Sequence, residues 1–156
     1  MQPDLAEPND APESARPVTP GLRDTYTVGA GDVDYFTFIA KAGNRYACET
    51  VTDQADTLLT VMGIGAQGAL SVIDGNDDRG LGRVDSYLEW TAVAEQPVIV
   101  KVEARGGSFG QYEFACQNVV SAPAWPAPPA RVAGVTRTPV TGTAALTATE
   151  RISLTA

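Results

Sequence analysis

Five oxygen-bearing side chains near the N-terminal end are the residues best spaced for chemistry. Glu7, Asn9 and Asp10 fall within four residues, and Asp32 and Asp34 stand two apart at the start of an apolar run. In an extended chain residues i and i+2 share a face, so Asp32 and Asp34 point the same way. Carboxylates and amide oxygens are the ligands calcium takes, about six to eight at a time, so these five are candidate ligands for such a cation. The same residue types also serve a metal-free arrangement. There Asn9 and Asp10 cap a local turn, and the two aspartates accept backbone N–H groups. The sequence leaves both open.

Other constellations are weaker. Asp74-Gly75-Asn76-Asp77-Asp78 has the look of a calcium-loop start, but Arg79 occupies the sixth position, where the sharp turn wants glycine. No flanking helices are indicated, so a solvated hairpin loop is expected there. The 156 residues include no histidine. That removes Ser-His-Asp and Cys-His nucleophiles, an imidazole base and His-bearing zinc sites. Neither Lys41 nor Lys101 forms a recognisable Ser-Lys pair, and with so many acids some carboxylate pair looks catalytic by chance. A non-enzyme is expected.

The 11 basic and 19 acidic residues give a net charge of −8. Such a balance argues against sequence-independent nucleic-acid binding and against docking on anionic lipid. No stretch approaches the roughly 18 apolar residues of a membrane span. The start, Met1-Gln2-Pro3-Asp4, shows neither a basic n-region nor an apolar h-region, so a mature fragment without its signal is expected.

The elements that must position these groups are strands. Tyr35 to Ile39 puts Phe36 and Phe38 on one face, and Arg45 to Val51 puts Tyr46, Cys48 and Thr50 on one face. Leu58 to Met62, a short run around Leu70 and Val72, Leu88 to Ala92, Val98 to Val102 and Gln111 to Gln117 alternate in the same way. Turn residues separate them, at Gly29-Ala30-Gly31-Asp32, Gly43-Asn44, Gly65-Ala66-Gln67-Gly68 and Gly106-Gly107-Ser108. Six to eight short strands and no amphipathic helix predict an all-β, antiparallel, jelly-roll-like sandwich. Cys48 and Cys116 both face inward on separate strands. They are placed for a disulfide, which would put the protein outside the cytoplasm, or stand as two buried thiols.

Proline and charge divide the chain three ways. An extended N-terminal segment covers residues 1–20, a sandwich about 21–118, and a Pro/Ala/Thr-rich tail 119–156. Residues 1–118 carry 8 basic against 18 acidic residues, a balance of −10, whereas the tail carries three arginines against Glu150, a balance of +2. Val119 to Ala130 reads as a polyproline-type spacer. From Ala145 to Ala156 the chain is strand-compatible, with Thr147, Thr149, Ile152 and Leu154. The tail is either a linker to further domains or a strand donated to a neighbouring copy, which would propagate as a filament.

The motifs resemble, in order, those of the bacterial pre-peptidase C-terminal domain, to which collagenase collagen-binding domains are related. Glu7-Pro8-Asn9-Asp10 is similar to its E-P-N-D motif, and Gly31-Asp32-Val33-Asp34-Tyr35-Phe36-Thr37-Phe38 to its G-D-x-D-Y-F-x-F signature. Ala42-Gly43 with Tyr46, Ser86 to Ala92, Val98 to Val102 and Gly110-Gln111-Tyr112 follow in the family's order, so the resemblance spans about residues 7–117. Pro97 and the two cysteines depart from the usual pattern. The resemblance implies a secreted, non-catalytic accessory β-sandwich on an exported or surface protein. It implies calcium between the N-terminal segment and the D-x-D turn, held by Glu7, Asn9, Asp10, Asp32 and Asp34. Tyr26, Tyr87 and Phe109 lie off the main inward faces, which leaves a glycan or collagen contact as a weaker expectation.

Overall fold

A computed structural model describes residues 7–119. The spacer and C-terminal segment that carry the linker and strand-donor expectations, 120–156, lie outside the described residues. Nine strands form two sheets and no α-helix occurs among the described residues: β1 (Arg16–Pro17), β2 (Arg23–Val28), β3 (Val33–Ala40), β4 (Arg45–Val51), β5 (Thr57–Ile64), β6 (Leu70–Asn76), β7 (Tyr87–Thr91), β8 (Gln96–Ala104) and β9 (Gly110–Asn118). One sheet runs β1-β3-β8-β5-β6 and the other β2-β9-β4-β7. All pairs are antiparallel except β1 with β3, where Arg16 lies beside Phe36. This is the all-β sandwich that the period-two patterning predicts.

The burial of β3 shows why the pattern works. Asp34, Phe36, Phe38 and Ala40 are buried while their neighbours are partly or fully exposed. Opposite them β9 turns Tyr112, Phe114 and Cys116 inward. The rings meet between the sheets: Phe36 stacks on Phe114 at 4.2 Å, and Tyr46 on Trp90 at 5.5 Å. Valines of β8 fill the space behind them, with Val98, Val100 and Val102 all buried. Burying a large apolar side chain contributes about 1.5–3 kcal/mol, so these layers dominate the stability.

Two strands go beyond the sequence reading. β1 is only two residues long and contains Pro17, so no periodicity could reveal it. β2 carries Arg23, Asp24 and Thr25 on its exposed half and closes onto β9. Its Tyr26 is buried rather than exposed, packing 4.8 Å from Phe36 and 5.8 Å from Tyr112. Tyr26 therefore leaves the set of surface aromatics expected to meet a glycan or collagen. Tyr87 is half-buried, its hydroxyl donating to Glu89 and its ring lying under the Arg79 guanidinium at 5.2 Å. Of the three, Phe109 alone stands out, at 68% exposure.

Two glycines are required by geometry. Gly31 has φ +82°, in the left-handed region that favours glycine, and it turns the chain into Asp32. Gly110 opens β9 where a Cβ would lie 2.5 Å from the Cβ of Gln54. The "G-x-Y" step of the resemblance thus has a steric cause at its first position.

Cys48 and Cys116 sit directly opposite on β4 and β9, with Cα atoms 4.1 Å apart, and form a disulfide. The bridge is not expected to be decorative. It closes a loop of 68 residues, which in the chain-entropy account is worth about 4 kcal/mol. Urea unfolding with and without reductant should show a lower midpoint for the reduced protein. Superimposable curves, or two titratable thiols in the untreated protein, would refute that contribution.

Candidate functional site

The N-terminal segment reaches the sandwich at Asn9. The Asn9 carbonyl accepts the backbone N–H of Tyr35 at 2.9 Å, which lays residues 7–10 beside the start of β3. The Asn9 side chain is fully buried, and its Nδ2 donates to Asp34 Oδ1 at 2.9 Å. On the other carboxylate oxygen, Tyr112 of the opposite sheet donates its hydroxyl to Asp34 Oδ2. A buried carboxylate is expensive unless hydrogen-bonded, and here one donor comes from each side. Glu7 turns back so that Oε2 accepts the Asn9 N–H at 3.2 Å.

This arrangement gathers three of the expected ligands. Carboxylate oxygens of Glu7, Asp32 and Asp34 lie within 4.8 Å of one another. Like charges that close, with water partly excluded, repel by a few kcal/mol per pair. Asn9 Oδ1 is buried beside them with no hydrogen-bond partner among the described residues. Asp10, the fifth expected residue, is exposed and stands outside the gathered carboxylates. The donor set is all oxygen, and the two cysteines are committed to the disulfide. Such a set suits a hard divalent cation and not zinc.

The second acidic stretch does not form a calcium loop. Asp74 lies on β6, and Asn76 Oδ1 accepts the N–H of Tyr87. Arg79 is held by Glu49 at 2.6 Å and Asp85 at 3.2 Å. Asp77 and Asp78 do approach Asp56, a residue the sequence gave no reason to join to them. Burial, then the charges of Asp77 and Asp78, raise the Asp56 carboxyl above its ordinary value, against the pull of Arg105. Arg105 also pairs with Asp77 at 3.4 Å.

A buried polar network at the other end of β7 also escaped the sequence. Ser86 donates its N–H to Thr50 Oγ1 at 2.8 Å and its hydroxyl to Asp77 O at 2.6 Å, and Thr50 and Thr57 hydroxyls meet at 2.7 Å. Asp85, fully buried, accepts from Arg83 Nε at 2.8 Å and from Arg83 Nη2 at 2.9 Å. This explains why a serine opens the "S-x-l-x-f" strand: it ties off chain ends. Among the described residues the Ser86 hydroxyl bonds Thr57 and the Asp77 carbonyl.

Two tests follow. Tyr112→Phe keeps the ring and removes the donor to Asp34, so stability should fall by about 1–3 kcal/mol in chemical denaturation. An unchanged midpoint would mean that the bond is not made. The hydrogen-bonded Arg83 holds the Asp85 carboxyl below its ordinary value, with burial opposing and the charges of Arg79 and Arg83 assisting. That contribution is present above the unfolded value of about 4 and is lost as pH falls through the lower folded value. Stability of Asp85→Asn should therefore depend less steeply on pH below about 4 than that of the parent, and parallel curves would contradict the assignment.

No protein-family model matches the sequence, and no curated protein matches it. Solved structures do. The pre-peptidase C-terminal domain of a collagenase from Bacillus anthracis superposes with a TM-score of 0.56 at 13% identity, covering 70% of this chain and all of that one. The periplasmic inhibitor of g-type lysozyme from Aeromonas hydrophila gives 0.44 at 20% identity, over 65% and 94% of the two chains. The Yersinia pseudotuberculosis-derived mitogen gives 0.46 at 13%, over 66% and 90%. The first likeness establishes the fold: this chain is built as a pre-peptidase C-terminal domain is built.

Proposed function

We propose that the chain is a non-catalytic accessory module of an exported or surface protein, in which calcium pins the N-terminal segment to the sandwich. The observation that carries this reading is Asn9 Oδ1, a buried acceptor without a partner among the described residues, beside three crowded carboxylates. A divalent cation would relieve both defects at once. Glu7, Asn9, Asp32 and Asp34 would hold it, with Asp10 near enough in sequence to join, and the ion would supply charge neutralisation and nothing reactive. The disulfide supports export, because such bonds persist outside the reducing cytoplasm. Accessory work rather than catalysis is supported by the use made of the gathered groups, since Asn9 and Tyr112 both bond Asp34 and so join three separate chain segments.

A second reading is favoured by the edge of the larger sheet. β6 is an outer strand with Val72 69% exposed, and residues 120–156 provide a chain long enough to reach a neighbour. On this reading the tail docks on the next copy and the protein assembles outside the cell. Collagen or glycan binding has only Phe109 left to support it.

Thermal melts with calcium and with chelator test the first reading. A hundredfold excess of calcium over Kd stabilises by about 2.7 kcal/mol, several degrees in Tm for a domain of this size. Asp32→Asn should abolish the shift. Equal Tm values in calcium and chelator would remove metal from the account and leave the clasp as hydrogen bonds alone.

A further inference from the structure

The sandwich is open along one side, where the edge strand β6 of the larger sheet faces the edge strand β7 of the smaller. Between them lies a slot of about 250 Å³, lined by Ile64, Ser71, Ile73, Trp90, Val93 and Gln96 among others. Gly63 lines it too, and a Cβ there would lie 3.2 Å from Gln96 Nε2 and 3.5 Å from Ile73 Cδ1. Trp90 is 7% exposed, yet its indole N–H has no acceptor among the described residues. A buried donor left unpaired beside an apolar slot is costly, and it asks for an incoming oxygen.

The other edges are protected. β1 is two residues long and carries Pro17, β2 begins with Arg23 and Asp24, and β7 presents Glu89 paired with Arg45. Pro, charge and shortness are the usual guards against strand addition. β6 offers Leu70-Ser71-Val72-Ile73 without a charge, and only a bulge opposite Val61 and Met62 interrupts it.

We infer that this slot and the β6 edge are the acceptor for the C-terminal segment of a second copy of the chain, the inference resting on the assembly reading above. Leu146, Ala148, Ile152 and Leu154 fall at alternate positions, with Glu150 between them, and Thr147, Thr149, Arg151, Ser153 and Thr155 fall on the other side. Added beside β6, such a strand puts its carbonyls within range of the edge N–H groups and one set of side chains, Glu150 among them, toward the slot that Trp90 lines. Charge favours the encounter, a +2 tail meeting a −10 body, the excess coming from Arg131 and Arg137, while the docking segment itself balances Glu150 with Arg151. The described chain leaves through Val119, whose N–H bonds Arg45 O at 2.8 Å, and Arg45 pairs with Thr91 at the slot's own end. The occupant is that of another copy, as the assembly reading requires. The contact is head-to-tail, so it repeats.

Sedimentation of the full chain over a concentration series tests this. The parent should associate, and both Ile73→Lys/Val93→Lys and Ile152→Asp/Leu154→Asp should sediment as monomers with unchanged melts, their acceptor positions being exposed. Mixed, the two variants should form a one-to-one dimer, since each retains one half of the contact. Trp90→Phe, which keeps a ring but loses the donor, should weaken association about fivefold. A parent that stays monomeric overturns the assembly reading and this inference with it. Association that survives Ile73→Lys/Val93→Lys, or a mixture that fails to pair, leaves assembly standing and overturns the slot as its acceptor.

Discussion

The carboxylate of Asp34 is the constraint on which the rest of the sandwich depends. It sits at zero exposure on the inward face of β3, where an unpaired charge would unfold a protein of ordinary stability. Its two oxygens are answered by Asn9 from the N-terminal segment and Tyr112 from the opposite sheet. Three parts of the chain, 103 positions apart at their extremes, therefore meet at one group. The N-terminal segment is not an appendage under this view. Its asparagine is a core residue that arrives before the first strand, and β1 follows it into the same sheet. Replacing all three groups with apolar ones could be nearly neutral, whereas removing one leaves the others stranded.

Legibility in the sequence followed the strength of each periodic signal. β3, β4, β8 and β9 alternate over five or more residues with aromatic or branched side chains inside, and their presence, type and facing were readable. β1 and β2 were not, because a two-residue strand has no period and β2 buries only its last half. Tyr26 was misplaced for the same reason. The acids at the N-terminal clasp were legible as a group through motif order, but the sequence held no sign that Tyr112 completes them, since that contact spans 78 residues. Asp56 joining Asp77 and Asp78 is likewise a product of sheet topology: β5 and β6 bring these loops together, and spacing along the chain says nothing of it.

The two outer faces of the sandwich differ in how they meet solvent. Across the smaller sheet, Arg23 bridges Glu113 and Glu49, Arg79 also reaches Glu49, and Arg45 pairs with Glu89. These pairs are partly exposed and add little stability. Their effect is to cover this face with paired charge across four strands. The larger sheet ends instead in Leu70, Val72 and Ile73, all exposed. The asymmetry is between faces of one small domain, which makes an accident of composition a poor account of it.

The disulfide has a mechanical meaning. Tension applied between the two ends of the domain enters near Arg16 and leaves near Val119, and it meets Cys116 three residues from the exit. From there it crosses a covalent bond to Cys48, so β5, β6, β7, β8 and most of β9 lie in a closed loop that carries no load. The 68 residues of that loop would otherwise pay out about 230 Å of chain on forced unfolding. A domain so bridged behaves under pull as a short, stiff link, lengthening only by what lies outside the ring.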